Sequence, residues 1–80
     1  MENFYSDKGI LFKTIYDDGG VEYRSIDNDG KYSQIIEIKG DTLTISTDTT
    51  KRKFVNGALV EEFKTCIPQE MTPTFKPPSF

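Results

Sequence analysis

The segment KYSQIIEIKGDTLTIST, residues 31–47, decides the fold of this chain. The apolar residues on either side of Gly40 repeat at a spacing of two: Ile36, Ile38, Leu43 and Ile45. This period is typical of β-strands, and a short glycine-containing link between two such runs is typical of a hairpin. Because threonines occupy the alternate positions, we expect an antiparallel sheet with one buried face and one solvated face.

Length and composition predict one small domain with a thin core. The chain has 80 residues, of which 35% are hydrophobic, and a net charge of −3. A domain of this size buries only about 60% of the surface that its unfolded chain exposes. Cys66 is the single cysteine, and the sequence contains no histidine, so neither a disulfide nor a Cys/His metal site is expected. With no signal-peptide pattern or membrane-length apolar run, we expect a cytoplasmic protein.

The order of strand and turn signals divides the chain into three parts. Residues 1–8 are predicted to be an N-terminal arm, 9–67 a single β domain and 68–80 a proline-rich C-terminal tail. Within the domain, alternating segments bounded by Gly, Asp and Asn predict six strands, at 10–16, 21–26, two within 31–47, 51–55 and 58–67.

Residues 58–67 fit two kinds of secondary structure. Leu59, Phe63, Cys66 and Ile67 have helical spacing, whereas Asn56-Gly57 is a strong signal for a β-hairpin turn directly before the segment. We favour a strand, because an Asn-Gly turn requires a partner strand on each side.

Tight turns between successive strands make sequence neighbours into neighbours in space. The predicted fold is therefore all-β: a small antiparallel up-and-down meander of about six strands that curls into a small barrel or half-barrel, followed by an extended proline-rich tail. Closure is expected because a flat sheet would leave two free edges open to pairing with another chain.

The residue types needed for catalysis do not form a recognisable pattern. The adjacent carboxylates fall mainly in turns, where aspartate caps the backbone, and Cys66 has no histidine to activate it. No glycine-rich phosphate loop is present, and Lys51-Arg52-Lys53 is too short for a nucleic-acid footprint in an acidic chain. We expect a protein that is not an enzyme and has no cofactor, metal, membrane or nucleic-acid partner.

The tail holds the predicted functional residues. Its proline-rich backbone is extended at low entropic cost, so it could insert aromatic side chains into a groove on a partner protein. The predicted contacts are Phe75, Pro77, Pro78 and Phe80, although Phe75 and Phe80 could instead fold back over the chain's own sheet.

The sequence thus predicts a non-catalytic protein-binding module, such as a phage or bacterial inhibitor or adaptor that covers a partner's surface. The alternative is a small β-barrel-like protein that dimerises and binds an apolar small molecule. In either case a free strand edge or the tail could also join copies of the chain.

Overall fold

In the computed structural model, residues 1–64 and 72–77 are described, and they contain one seven-stranded antiparallel sheet. Each strand pairs with its neighbours in the chain, so the sheet is an up-and-down meander. The strands are β1 Glu2–Tyr5, β2 Leu11–Ile15, β3 Val21–Ile26, β4 Tyr32–Lys39, β5 Thr42–Ser46, β6 Thr50–Val55 and β7 Ala58–Lys64. The all-β antiparallel meander predicted from the sequence is confirmed.

The turns form where the sequence placed glycine, asparagine and aspartate. Asn56 and Gly57 both have positive φ, of 52° and 83°, which gives the tight turn between β6 and β7. Asp27 caps another turn, since its Oδ1 atom accepts the backbone N–H groups of Asp29 and Lys31 at 2.9 Å.

The two edge strands of the sheet extend the strand pattern predicted from the sequence: one was not predicted, and the other was predicted with a helix as the alternative. The predicted arm at 1–8 contains β1, which pairs with β2 at one edge of the sheet and raises the strand count to seven. Alternation was not visible there because Phe4 and Tyr5 are adjacent. At the other edge the helix-or-strand ambiguity is decided for Ala58–Lys64, which is a strand; residues 65–67 lie outside the described part.

The predicted closure into a barrel is wrong for the described part of the chain. Contacts between strands join only neighbours in the meander, and no pairing joins β1 to β7. Closure requires the first and last strands to pair, whereas β1 and β7 stay at opposite edges of this sheet. The sheet remains open, with overall dimensions of 44 × 29 × 17 Å.

The described part of the tail lies on the chain's own sheet. Leu11 donates its backbone N–H to the carbonyl of Thr74 at 2.8 Å, and Lys76 donates to the carbonyl of Gly9 at 2.7 Å. Phe75 is thereby placed opposite Ile10 in an antiparallel bridge. The rest of the predicted tail, 68–71 and 78–80, lies outside the described residues.

The well-buried core is small and sits at this end of the sheet. Ile10, Leu11 and Tyr32 are the buried apolar residues, and Ile26 and Ile35 pack against Ile10 and Tyr32. Tyr32 also accepts the backbone N–H of Thr74 at its hydroxyl oxygen, at 2.9 Å. The core and the docking of the tail are therefore one structural unit.

Candidate functional site

One face of the sheet carries a continuous row of apolar side chains, which we call the apolar face. Direct cross-strand partners share a face, so the strand register places these residues next to one another. The row crosses six strands, from β2 to β7: Ile15, Val21, Ile38, Leu43, Phe54 and Leu59. A second row beside it contains Phe4, Lys13, Tyr23, Ile36 and Ile45, and then Arg52 and Glu62.

The apolar face is open to solvent in the described structure. Ile38 is 42% exposed, Tyr23 41% and Leu59 51%, while the other apolar members of the two rows are half-buried. No helix or second sheet is present among residues 1–64 and 72–77 to cover it. The expectation that the face of Ile36 and Ile38 is buried is therefore wrong for the described residues, because these form no second layer over it.

Lys13 has no carboxylate partner within the described residues, and the same is true of Lys64, which lies on this face opposite Thr50 at the far end of β7. The Lys13 ammonium lies 5.3 Å from the centre of the Phe4 ring and 5.4 Å from that of Tyr23. Cation–π contacts at such distances hold an ammonium without neutralising its charge. By contrast, Arg52 Nε lies 3.0 Å from Glu62 Oε2, which neutralises the charge of Arg52.

The opposite face, which we call the polar face, contains a buried hydrogen-bonded group. Glu22 is only 8% exposed, and its two carboxylate oxygens are both engaged. Its Oε1 lies 2.6 Å from Arg24 Nη2, and its Oε2 accepts the hydroxyl of Tyr16 at 2.5 Å. This hydrogen bond, with burial and the negative charge of Glu22, raises the pKa of Tyr16 above its ordinary value.

A second charged pair lies at an exposed turn. Asp18 Oδ2 is 2.8 Å from Lys39 Nζ, and Asp18 Oδ1 accepts the backbone N–H of Gly20 at 3.0 Å. The hydrogen bond from Lys39 lowers the pKa of Asp18, and the same contact raises that of Lys39. Since both groups are well exposed to solvent, the pair contributes little to the stability of the whole domain, and its effect is confined to the turn.

The predicted tail contacts are only partly placed. Phe75 is 59% exposed although its backbone is docked, and Pro77 is exposed. Pro78 and Phe80 lie outside the described residues, as does Cys66. The structure does not bring the tail contacts together into one surface within its described part.

No three His, Cys, Asp or Glu residues in the described ranges are grouped so as to hold a metal ion. The carboxylates at 17–18 and 27–29 serve turns, and Glu61 and Glu62 point to opposite faces of β7, opposite Lys53 and Arg52. These carboxylates therefore do not converge on a common cleft.

Sequence reasoning missed both the open face and the buried Glu22. The apolar parity was visible, but a single sequence does not say whether a second layer covers it. Glu22 and Arg24 share the polar parity of β3, a signal that could have indicated an intrastrand ion pair.

Comparisons with known proteins add no further assignment: no family model, no curated protein and no solved structure matches this chain. Over the described residues, no helix has the length and apolar character needed to cross a membrane.

Proposed function

We propose that this chain is a non-catalytic protein-binding module, a small inhibitor or adaptor whose apolar face covers a complementary surface of a partner protein. The observation that carries this proposal is the uncovered apolar row from Ile15 to Leu59, flanked by Tyr23, Ile36 and Ile45. Contiguous exposed apolar patches of this kind mark interaction surfaces in soluble proteins.

The size of the face suits a stable interface. The broad side of the molecule measures 44 by 29 Å, or roughly 1,300 Å² in projection, and a standard interface takes about 800 Å² from each partner. Aromatic and branched side chains at its centre, with charges near its ends, match the usual arrangement of an apolar core and a polar rim.

The charges favour a different protein over a second copy of this chain. If two copies stacked face to face about a two-fold axis parallel to the strands, β2 of one would face β6 of the other. Lys13 would then meet Arg52, whose carboxylate partner Glu62 is already engaged, and would gain no free opposite charge. An axis running across the strands along the second row would place Lys13 against its own copy. Burying like charges is costly, so the partner we propose presents an apolar surface with a carboxylate opposite Lys13.

The tail contacts predicted from the sequence enter this proposal as a secondary surface. Phe75 is 59% exposed while its backbone forms a bridge with Ile10, just before β2, so it could add to an interface without leaving the sheet. The alternative function, a dimer that encloses an apolar small molecule, would use the same face and would require self-association.

The test compares two variants, each of which changes the charge on a different face of the sheet. Ile38→Glu places a carboxylate on the apolar face, whereas Glu61→Lys alters an exposed position on the opposite face. The wild type and the two variants are immobilised separately and exposed to lysate. A protein that is retained is then purified and titrated against all three. The proposal expects the wild type and Glu61→Lys to bind it, with affinity at least about tenfold lower for Ile38→Glu.

Two results would overturn the proposal. One is equal affinity of Ile38→Glu and the wild type for every retained protein. The other is a solution mass of twice the monomer's 9.1 kDa that Ile38→Glu returns to the monomer, which would assign the face to a second copy.

A further inference from the structure

The polar face carries a cavity of about 370 Å³, on the side of the sheet opposite the apolar face. Strands β3 to β6 supply its floor and the docked tail supplies one wall. The residues that matter for its chemistry are Glu22, Arg24, Glu37, Ser46, Lys51 and Thr74. The volume is in the range of sites that hold small molecules.

The guanidinium of Arg24 lies in the lining of this cavity. Its Nη2 atom is paired with Glu22, but its Nη1 atom is buried and has no hydrogen-bond partner within the described residues. The ring of Tyr32 also positions the guanidinium, since the ring centre lies 5.7 Å from Arg24 Cζ. A buried charged donor without an acceptor is costly, so a small shift of the guanidinium toward an acceptor in the cavity would be favourable.

The charges around the cavity favour an anionic acceptor. The carboxylate of Glu22 is already neutralised by Arg24 and bonded by Tyr16, so it offers no free oxygen to Nη1. Lys51 lies in the same cross-strand row as Arg24, reached through Ile35 and Ser46, and adds a second cation at the rim. Glu37, which is exposed, is the one further carboxylate that residues 1–64 and 72–77 contribute to the lining.

We propose that this cavity binds a small molecule through an oxyanion group, a carboxylate or a phosphate. The oxyanion pairs with the guanidinium of Arg24 and with Lys51, and hydroxyl groups from Ser46 and Thr44 line the same wall. Glu37 at the rim limits the ligand to a low negative charge or selects one with a cationic group beside its oxyanion. Because the cavity and the apolar face lie on opposite sides of the sheet, this site is independent of the proposed protein interface.

The test follows the thermal midpoint and the amide NMR spectrum of the full chain while sodium phosphate or sodium succinate is added at constant ionic strength. Either anion, at tenfold excess over its Kd, is expected to raise the midpoint by about 6 to 11 °C. Saturable shifts are expected for amides of β3 to β6. The two arms show whether the site prefers a phosphate or a carboxylate.

Matched lysine variants keep the test specific. Lys51→Gln removes the rim cation from an exposed position and is expected to weaken binding about tenfold, whereas Lys53→Gln, on the same strand and face but outside the cavity lining, is expected to leave it unchanged. Arg24→Gln is expected to abolish binding, and its folding is checked by the same spectra. Two results would overturn the proposed site: no response to either anion, or a response that Lys51→Gln and Lys53→Gln reduce equally. The cavity would then be filled by water alone.

Discussion

The ammonium of Lys13 lies 5.4 Å from the centre of the Tyr23 ring, on a sheet face where its neighbours are otherwise mainly apolar. An aromatic ring attracts a cation but leaves its charge available to a partner. This pair therefore combines two properties that we assign to the centre of the interface, an apolar surface and an uncompensated positive charge.

Reversing that charge is expected to weaken binding to the partner. Lys13→Glu should lower the affinity at least about tenfold, because two carboxylates would then face each other, whereas Lys13→Arg should stay within about threefold of the wild type. Titration calorimetry with the purified partner measures both. Equal affinities for Lys13→Glu and the wild type would show that no carboxylate lies opposite.

The hydrogen bond between Tyr16 and Glu22 is expected to make stability depend on alkaline pH. The pKa of Tyr16 is raised in the folded protein, chiefly by that hydrogen bond, so the folded state holds the phenolic proton more tightly than the unfolded state. This contribution is complete below the ordinary tyrosine pKa of about 10 and is lost as the pH rises through the raised folded value.

Tyr16→Phe tests this linkage. Urea denaturation at neutral pH should show a loss of about 1.5 kcal/mol in the free energy of unfolding, because Glu22 loses a donor. The difference between the variant and the wild type should shrink above about pH 10, where the wild type loses the bond as well. A difference that stays constant up to about pH 11.5 would contradict the assignment.

The docking of the tail is expected to depend on the hydroxyl of Tyr32. Tyr32→Phe keeps the buried ring but leaves the backbone N–H of Thr74 without its acceptor, which should cost about 1 kcal/mol. Hydrogen exchange at Thr74 should accelerate, while Tyr23→Phe, on the exposed apolar face, should leave it unchanged. Unaltered exchange at Thr74 in Tyr32→Phe would contradict this account, because the backbone hydrogen bonds of the tail to Gly9 and Leu11 would then be enough to hold it.

The turn between β6 and β7 is expected to need a residue that tolerates positive φ. Gly57 has a φ of 83° with no atom within 4 Å of an added Cβ, so Gly57→Ala should cost about 1 to 2 kcal/mol through backbone conformation alone. Gly57→Asn should lose less, since asparagine adopts the left-handed region more readily. Equal stability of the alanine variant and the wild type in urea would contradict this account.

Much of the fold follows from local sequence, and the rest depends on long-range packing. Asn56-Gly57 and the alternation around Gly40 contain enough information to place two hairpins, because turn geometry and strand period are local properties. The pairing of Phe4 with Lys13 and the failure of the sheet to close depend on register across the whole meander. The sequence predicts the site in the tail, at Phe75 and its neighbours. The open face could not be predicted, because only the structure shows that the described residues form no second layer over it.

The most direct test of the central proposal is cross-saturation NMR on the complex with the purified partner. Irradiation of the partner should attenuate the side-chain methyl signals of Ile36, Ile38, Leu43 and Ile45, and leave those of Ile10 and Ile35 in the tail-side core at full intensity. The opposite pattern, with full intensity on the apolar face and attenuation confined to the tail around Phe75, would contradict the account.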